Sequence, residues 1–296
     1  MSSPNFIDVA GRRTRVRVAG DPSAPPVLLL HGIGRSLEDW AAVFPLLARE
    51  YRVITLDLPG FGFSTRRPER ATSTSFALGA METLDALGES RPVHVVGNSL
   101  GGAIALQLQA IASERVESLV LVDAAGFGPE VISMLRLLTV PVLAHLATAR
   151  TTRFSAKLVE KVNYSDASLA TAARIEHAVE ISKQPDSGAL MRETARALGT
   201  IRGVRSDWRQ SLLETVALHP RPTLVVWGEH DRVLPVKHVQ AARSGLPHAD
   251  SHIFTGVGHM PQIECPDNFV DVVSRFLARV VAETEPEKCT QVNIRE

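Results

Sequence analysis

Cysteine is almost missing from this 296-residue chain, which holds only Cys265 and Cys289. Two widely spaced cysteines make no disulfide framework, so stability has to come from a packed core, as in a reduced, cytoplasmic compartment. An excess of charge of one sign is also lacking. Lys and Arg total 32, Asp and Glu total 32, and the formal net charge is zero. That balance removes any global electrostatic reason to expect nucleic acid or an anionic membrane as partner. Long apolar runs are absent too. The greasiest stretch, 131–149, contains Arg136, Pro141 and His145, which excludes a membrane span. Residues 1–8 lack the basic-then-apolar order of a secretory signal. There is no internal repeat and no low-complexity block. A chain that is 45% hydrophobic and of this length can bury a large core.

What is present is a series of short apolar runs. Val27-Leu28-Leu29-Leu30 stops at His31-Gly32, and Val53-Ile54-Thr55-Leu56 stops at Asp57. Val93-His94-Val95-Val96 stops at Gly97, Leu119 to Val122 stops at Asp123, and Thr223 to Trp227 stops at Gly228. None alternates, so each reads as a strand buried on both faces of a parallel sheet. Segments of helical spacing lie between them, such as Trp40, Val43, Phe44 and Leu47, or Ile104, Leu108 and Ile111. Strands alternating with helices predict a mostly parallel α/β sheet. The N-terminus differs. Arg13, Arg15 and Arg17 alternate with Thr14, Val16 and Val18, which predicts a half-buried strand with a solvated arginine face.

One interval breaks the rhythm. Residues 129–218 show no buried strand and read as helices over 130–150, 156–162, 168–182, 188–201 and 207–216. An all-helical insertion between two core strands suggests a lid, with residues 1–128 and 219–296 forming the core. A last helix over 267–282 carries Phe269, Val272, Val273, Phe276 and Val280 on one face, and the polar tail after Glu283 reads as frayed.

The chemistry is concentrated in Gly97-Asn98-Ser99-Leu100-Gly101, set between a buried strand and a helix. This G-x-S-x-G pattern is a nucleophile elbow. The serine occupies a strained corner and aims its hydroxyl out of the sheet, while the glycines remove side chains that would clash. The helix N-terminus behind Ser99 favours negative charge. A serine hydroxyl needs a base. His259, in Gly256-Val257-Gly258-His259-Met260-Pro261, sits in a loop of the kind that carries catalytic groups. His94 lies inside a strand, His145 and His177 in the helical insertion, and His248 and His252 flank an edge strand. His31 reads as shaping its loop. The histidine needs an orienting carboxylate. Asp231, in Trp227-Gly228-Glu229-His230-Asp231, is first choice, and Asp123 at another strand end is its rival. The backbone N–H groups of Ile33 and Leu100 are placed to form an oxyanion hole.

The order Ser99, Asp231, His259 accompanies the elbow in one fold. With the HGIG loop, DLPGFG from Asp57 to Gly62, GNSLGG, WGEHD and GVGHMP, the chain resembles an α/β-hydrolase-fold serine hydrolase over most of its length. The resemblance implies a helical cap between core strands six and seven. It covers esterases, lipases, thioesterases and carbon–carbon bond hydrolases. Halide and epoxide hydrolases of the same fold carry aspartate at the elbow, where this chain has Ser99. Asn98 fits the branch that cleaves dienone ring-cleavage products, whereas Met260 stands where that branch has tryptophan. Arg192 could meet a substrate carboxylate there or be a solvated helix residue. The expectation is a carboxylesterase-like enzyme acting on a small-molecule substrate. Carbon–carbon cleavage is the alternative, and a ligand receptor on the same fold is the alternative of another class. No metal or organic cofactor is required, because no metal-ligand spacing is present. Neither nucleic acid nor stable membrane insertion is expected, and the chain acts alone or as a homo-oligomer.

Overall fold

The computed structural model describes residues 3–291. Its centre is an eight-stranded sheet of β1 (Asn5–Val9), β2 (Arg12–Ala19), β3 (Pro26–Leu30), β4 (Arg52–Leu56), β5 (Val93–Asn98), β6 (Val116–Val122), β9 (Thr223–Gly228) and β10 (Asp250–Phe254). β7 (Gly199–Thr200) and β8 (Gly203–Val204) form a separate short hairpin. The sheet order is β1-β2-β4-β3-β5-β6-β9-β10. The β1/β2 and β2/β4 pairs are antiparallel, and every other pair is parallel. This is the mostly parallel α/β sheet that the apolar runs predict.

Each run is buried from both sides because successive residues point to opposite faces. Leu28, Leu30, Val95, Leu119, Leu121, Val225 and Trp227 enter one core, and Val27, Leu29, Val96, Val120, Val122, Leu224 and Val226 enter the other. The helices Ser73–Ala86, Leu100–Ile111 and Ser206–Leu218 supply residues to the first core, and Pro266–Gln291 supplies Phe269, Val273, Phe276 and Leu277 to the second. Five loops that matter below leave the carboxyl ends of five adjacent parallel strands, β3, β5, β6, β9 and β10. That edge of an open α/β sheet is where ligands bind.

The structure differs from the sequence expectations in five places, one being that the helix expected over 188–201 ends at Leu198 because Gly199 and Thr200 turn into the β7/β8 hairpin, so the insertion is not wholly helical. The helix expected over 130–150 is two helices, Ser133–Leu137 and Pro141–Ala149. Pro141 lacks the N–H that a continuous helix needs and begins the second helix instead. His252 lies inside the edge strand β10 rather than beside it. The last helix runs past Ala282 to Gln291, and the remainder of the expected tail, 292–296, lies outside the described residues. The arginine face of β2 is not simply solvated. The Arg13 guanidinium sits 3.5 Å over the Phe6 ring, Arg17 sits 4.2 Å over Phe44, and Arg15 pairs with Glu38 and, at 3.4 Å, with the fully buried Asp57.

Between β6 and β9 the chain forms the helices Ser133–Leu137, Pro141–Ala149, Arg153–Asn163, Ala172–Ser182, Ser187–Leu198 and Ser206–Leu218, with the β7/β8 hairpin among them. A largely buried ion pair, Arg35–Glu160, ties this segment to the loop after β3. Arg35 is held by Asp39, with Nη2 to Oδ1 at 2.6 Å, and by Glu160 across the segment boundary. The Tyr164 hydroxyl donates to the other Glu160 oxygen at 2.9 Å. Burial works against the Arg35 charge, but the two carboxylates outweigh it and hold the guanidinium charged.

Candidate active site

Ser99 stands at the turn from β5 into the helix Leu100–Ile111 with φ 56° and ψ −114°. A non-glycine residue in this region is strained, and such strain persists only where the surroundings over-determine it. Here they do. The Ser99 N–H donates to the Val122 carbonyl at 2.9 Å, and its carbonyl accepts from Ala125 N–H at 3.0 Å. A Cβ on Gly97 would lie 2.2 Å from the Gly101 carbonyl oxygen, and one on Gly101 would lie 2.1 Å from that of Leu30. The strand and helix therefore meet backbone to backbone, which only glycine allows. At the helix start, the N–H of Leu100 belongs to the turn whose donors have no partner within the helix.

His259 lies in the loop after β10. Its ring Nδ1–H donates to Asp231 Oδ2 at 2.7 Å, and both residues are buried. Asp231 Oδ1 accepts the N–H groups of Val233 at 2.7 Å and Leu234 at 2.9 Å. Three donors thus fix this carboxylate, and it fixes the ring. The rival carboxylate is close by. Asp123, Asp231 and His259 each place a polar side-chain atom within 4.8 Å of the others. Asp123 is fully buried, with Oδ1 accepting from Gly228 N–H at 2.9 Å and Oδ2 without a hydrogen-bond partner. Burial, and then the adjacent Asp231 carboxylate, push the Asp123 carboxyl well above the ordinary carboxylate range. This trio has the spacing of a metal site, but four of its oxygen and nitrogen atoms already serve one another or the backbone, which leaves Asp123 Oδ2 as the uncommitted acidic oxygen.

His31 occupies the loop after β3 and is spent structurally. Leu58 N–H donates to its Nε2 at 2.9 Å, and its Nδ1–H donates to the Gly32 carbonyl at 2.8 Å. Burial depresses its basicity, so the ring stays neutral. The same loop carries Ile33 and Gly34.

Ser99, His259, Ile33 and Met260 line one cavity of about 430 Å³. Its remaining wall is largely apolar and comes from the helical segment, including Leu135, Leu138, Leu158, Val159 and Ile181. A smaller cavity of about 70 Å³ also borders Ser99 and Ile33 and adds Leu100 and Trp208. Arg192 lines neither. Its Nη1 donates to Thr148 Oγ1 on the neighbouring helix, so it is not the freely solvated residue that its helical position suggests.

Several site residues escape a reading of the sequence. Asn98 Nδ2 donates to the Val122 carbonyl at 3.2 Å and to the His259 carbonyl at 3.1 Å, tying the elbow to the histidine loop. The His259 N–H donates to the Asn163 carbonyl of the helical segment at 2.9 Å. Glu264 completes the clamp. It accepts from Gly258 N–H at 2.8 Å with one oxygen and from Ser165 N–H at 2.8 Å with the other. The acid at 264 is visible in sequence, but its partners 99 residues away are not.

Known proteins resemble this chain along most of its length. The family model described as alpha/beta hydrolase fold matches residues 25–266. The 2-hydroxy-6-oxo-6-(2'-aminophenyl)hexa-2,4-dienoic acid hydrolase of Metapseudomonas resinovorans is 30% identical over 277 residues, covering 93% of this chain and 90% of that protein. Lipase 1 of Psychrobacter immobilis is 29% identical over 273 residues, covering 89% and 80%. Among solved structures, a meta-cleavage product hydrolase from Pseudomonas fluorescens IP01 superposes with a TM-score of 0.78 at 28% identity, covering 93% of this chain and 97% of that one. No helix among the described residues is long and apolar enough to cross a membrane.

Proposed function

This chain belongs to the alpha/beta hydrolase family and is a hydrolase, and from that premise we propose that it cleaves carboxylic esters of small to medium apolar substrates through an acyl-enzyme. The observation that carries the choice of substrate is the charge of the larger cavity. Apart from His259, its one basic side chain is Arg35, and both of that guanidinium's faces are taken by Asp39 and Glu160. A substrate carboxylate entering this cavity would find no uncommitted cation there, Arg136 lining only the smaller one, and burying an unpaired charge is costly. An uncharged ester meets no such cost, and the apolar wall favours it.

In this reading residues 129–218 act as a cap on a core made of 1–128 and 219–296. His259 takes the Ser99 hydroxyl proton as the oxygen attacks the ester carbonyl. The N–H groups of Ile33 and Leu100 receive the developing oxyanion, each contributing ~10²–10³ in rate. His259 then protonates the departing alcohol, and the acyl group remains on Ser99. Water, deprotonated by the same ring, attacks the acyl carbon and releases the acid. Asp231 keeps the proton on Nδ1 and stabilises the imidazolium.

Carbon–carbon bond cleavage is the second reading, supported by the similarity to the Metapseudomonas and Pseudomonas hydrolases. Rates measured on p-nitrophenyl acetate, butyrate and octanoate beside a dienone ring-cleavage product distinguish the two. Ester turnover that disappears in Ser99→Ala, together with its fluorophosphonate labelling, is the expected result. Turnover confined to the dienone would overturn the ester reading, and labelling that survives in Ser99→Ala would overturn the nucleophile.

A further inference from the structure

The helix Pro141–Ala149 is built from Pro-Val-Leu-Ala-His-Leu-Ala-Thr-Ala, and of these nine residues only Ala144 is buried. Val142 is 70% exposed and Leu146 69%. A helix that is apolar on every side belongs under a covering layer, not in water. Its neighbour Arg153–Asn163 is amphipathic and also leaves apolar side chains in the open, with Phe154 73% and Leu158 51% exposed. Isolated exposed hydrophobics are ordinary on any protein surface. Here, though, seven of the thirteen large exposed hydrophobics among the described residues fall between positions 134 and 158.

Two of them locate the patch. Met134 and Leu158 are exposed and also line the cavity that holds Ser99, so the apolar surface rings its mouth. The charge around it is one-sided despite the neutrality of the whole chain. From Val131 to Val159 there is no Asp or Glu, while Arg136, Arg150, Arg153 and Lys157 fall within that run and Lys161 follows. Arg150, Lys157 and Lys161 are exposed. Glu160 is turned inward on Arg35, and Glu176 of the neighbouring helix Ala172–Ser182 pairs with Arg153 at 2.9 Å.

We propose that the outer faces of the helices Pro141–Ala149 and Arg153–Asn163 form a docking surface for an anionic phospholipid bilayer, with the cavity mouth held against the lipid. Apolar side chains with a basic rim are the composition of helices that lie in the headgroup region. A nine-residue helix is about 14 Å long, too short to cross a membrane, so it lies along the surface. A second copy of the chain fits less well. A two-fold contact sets the same patch against itself, and the basic rim would then face its own charge. The inference does not depend on the hydrolytic reading, because docking is measured without turnover.

Sedimentation of the full chain with vesicles tests it. One set is phosphatidylcholine alone, and the other contains about one third phosphatidylglycerol, each at low and at physiological salt. The chain is expected to sediment with the anionic vesicles, and less so as salt rises. The triple variant Val142→Ser, Leu146→Ser, Phe154→Ser should bind at least tenfold more weakly with its unfolding temperature unchanged. Lys157→Glu with Lys161→Glu should erase the preference for phosphatidylglycerol. Absence of binding by the native chain, or equal binding by the triple variant, would overturn the proposal. So would a native dimer, seen by light scattering, that the triple variant splits into monomers while neither form binds vesicles; that outcome assigns the face to a second copy.

Discussion

Asp123 and Asp231 leave neighbouring parallel strands and bring carboxylate oxygens within 4.8 Å of each other and of a His259 ring nitrogen. Three hydrogen-bond donors converge on Asp231, and one reaches Asp123. The two acids are therefore unequal. Asp231 accepts from the imidazole, whereas burial and the neighbouring carboxylate push the Asp123 carboxyl well above the ordinary carboxylate range.

Replacing them separately exposes that difference. Asp231→Asn should lower kcat by about 10⁴, the size expected when an imidazole loses the group that sets its tautomer. Asp123→Asn should keep most of the activity, since an amide oxygen still accepts from Gly228 N–H and the imidazole keeps Asp231. Stability gives the sign independently. Above the ordinary carboxylate range the folded chain holds a proton on Asp123 that the unfolded chain releases, so Asp123 lowers stability progressively as pH rises toward its folded pKa. Urea midpoints of Asp123→Asn should accordingly gain on the native protein between pH 4 and pH 7. A gap that shrinks over that range would show that Asp123 is ionised in the fold.

His94, on β5, should make the fold sensitive to acid. Burial pushes its pKa down to about 4, and its Nδ1 bonds Ser118 Oγ at 2.8 Å. The neutral ring contributes stability that is fully present above the ordinary histidine value near 6.5 and is lost as pH falls toward 4. The loss at pH 4 is on the order of 3 kcal/mol. His94→Gln should flatten the decline of Tm between pH 6.5 and pH 4, with His31 accounting for part of what remains.

Gly101→Ala should destabilise the elbow by roughly 3 kcal/mol or more, because the added methyl meets the Leu30 carbonyl, a backbone atom that cannot swing aside. Thermal unfolding measures this directly. A variant with native Tm would mean that the strand–helix contact is looser than described.

Glu160→Gln removes one of the two carboxylates on the partly buried Arg35 and should cost roughly 3 kcal/mol. The loss should fall on one part of the molecule. Limited proteolysis is expected to cut within 129–218 faster than in the native protein, with the sheet and its flanking helices resisting. Uniform cleavage would place the effect elsewhere.

The sheet was readable because burial on two faces leaves an unbroken apolar run, and each run from Val27 to Trp227 ends within two residues of the end of its strand. The elbow was readable because its strain demands glycine at fixed spacing. The ranking of Asp231 over Asp123 rested on position, and the structure adds the donors that separate them. What the sequence concealed are contacts made between backbones or across long separations. The Arg35–Glu160 link spans 125 residues, and nothing in the composition of either neighbourhood announces it. The arginines of β2 alternate as a solvated face would, yet Arg15 ends on a buried carboxylate, because alternation reports direction and says nothing about what waits there. Pro141 was visible and still undervalued, since the apolar pattern continued across it.

The hydrogen bond from the His259 N–H to the Asn163 carbonyl, beside the Glu264 bridge from Gly258 to Ser165, has a consequence for anyone shuffling parts among relatives of this protein. A donor segment grafted between β6 and β9 must bring a carbonyl at the position of Asn163 and an N–H at that of Ser165, or the histidine loop loses its anchor even though every side chain of the recipient is retained. The joint is written in backbone atoms, so chimeras will succeed or fail by the path of the main chain there, and sequence identity at the crossover points will be a poor guide.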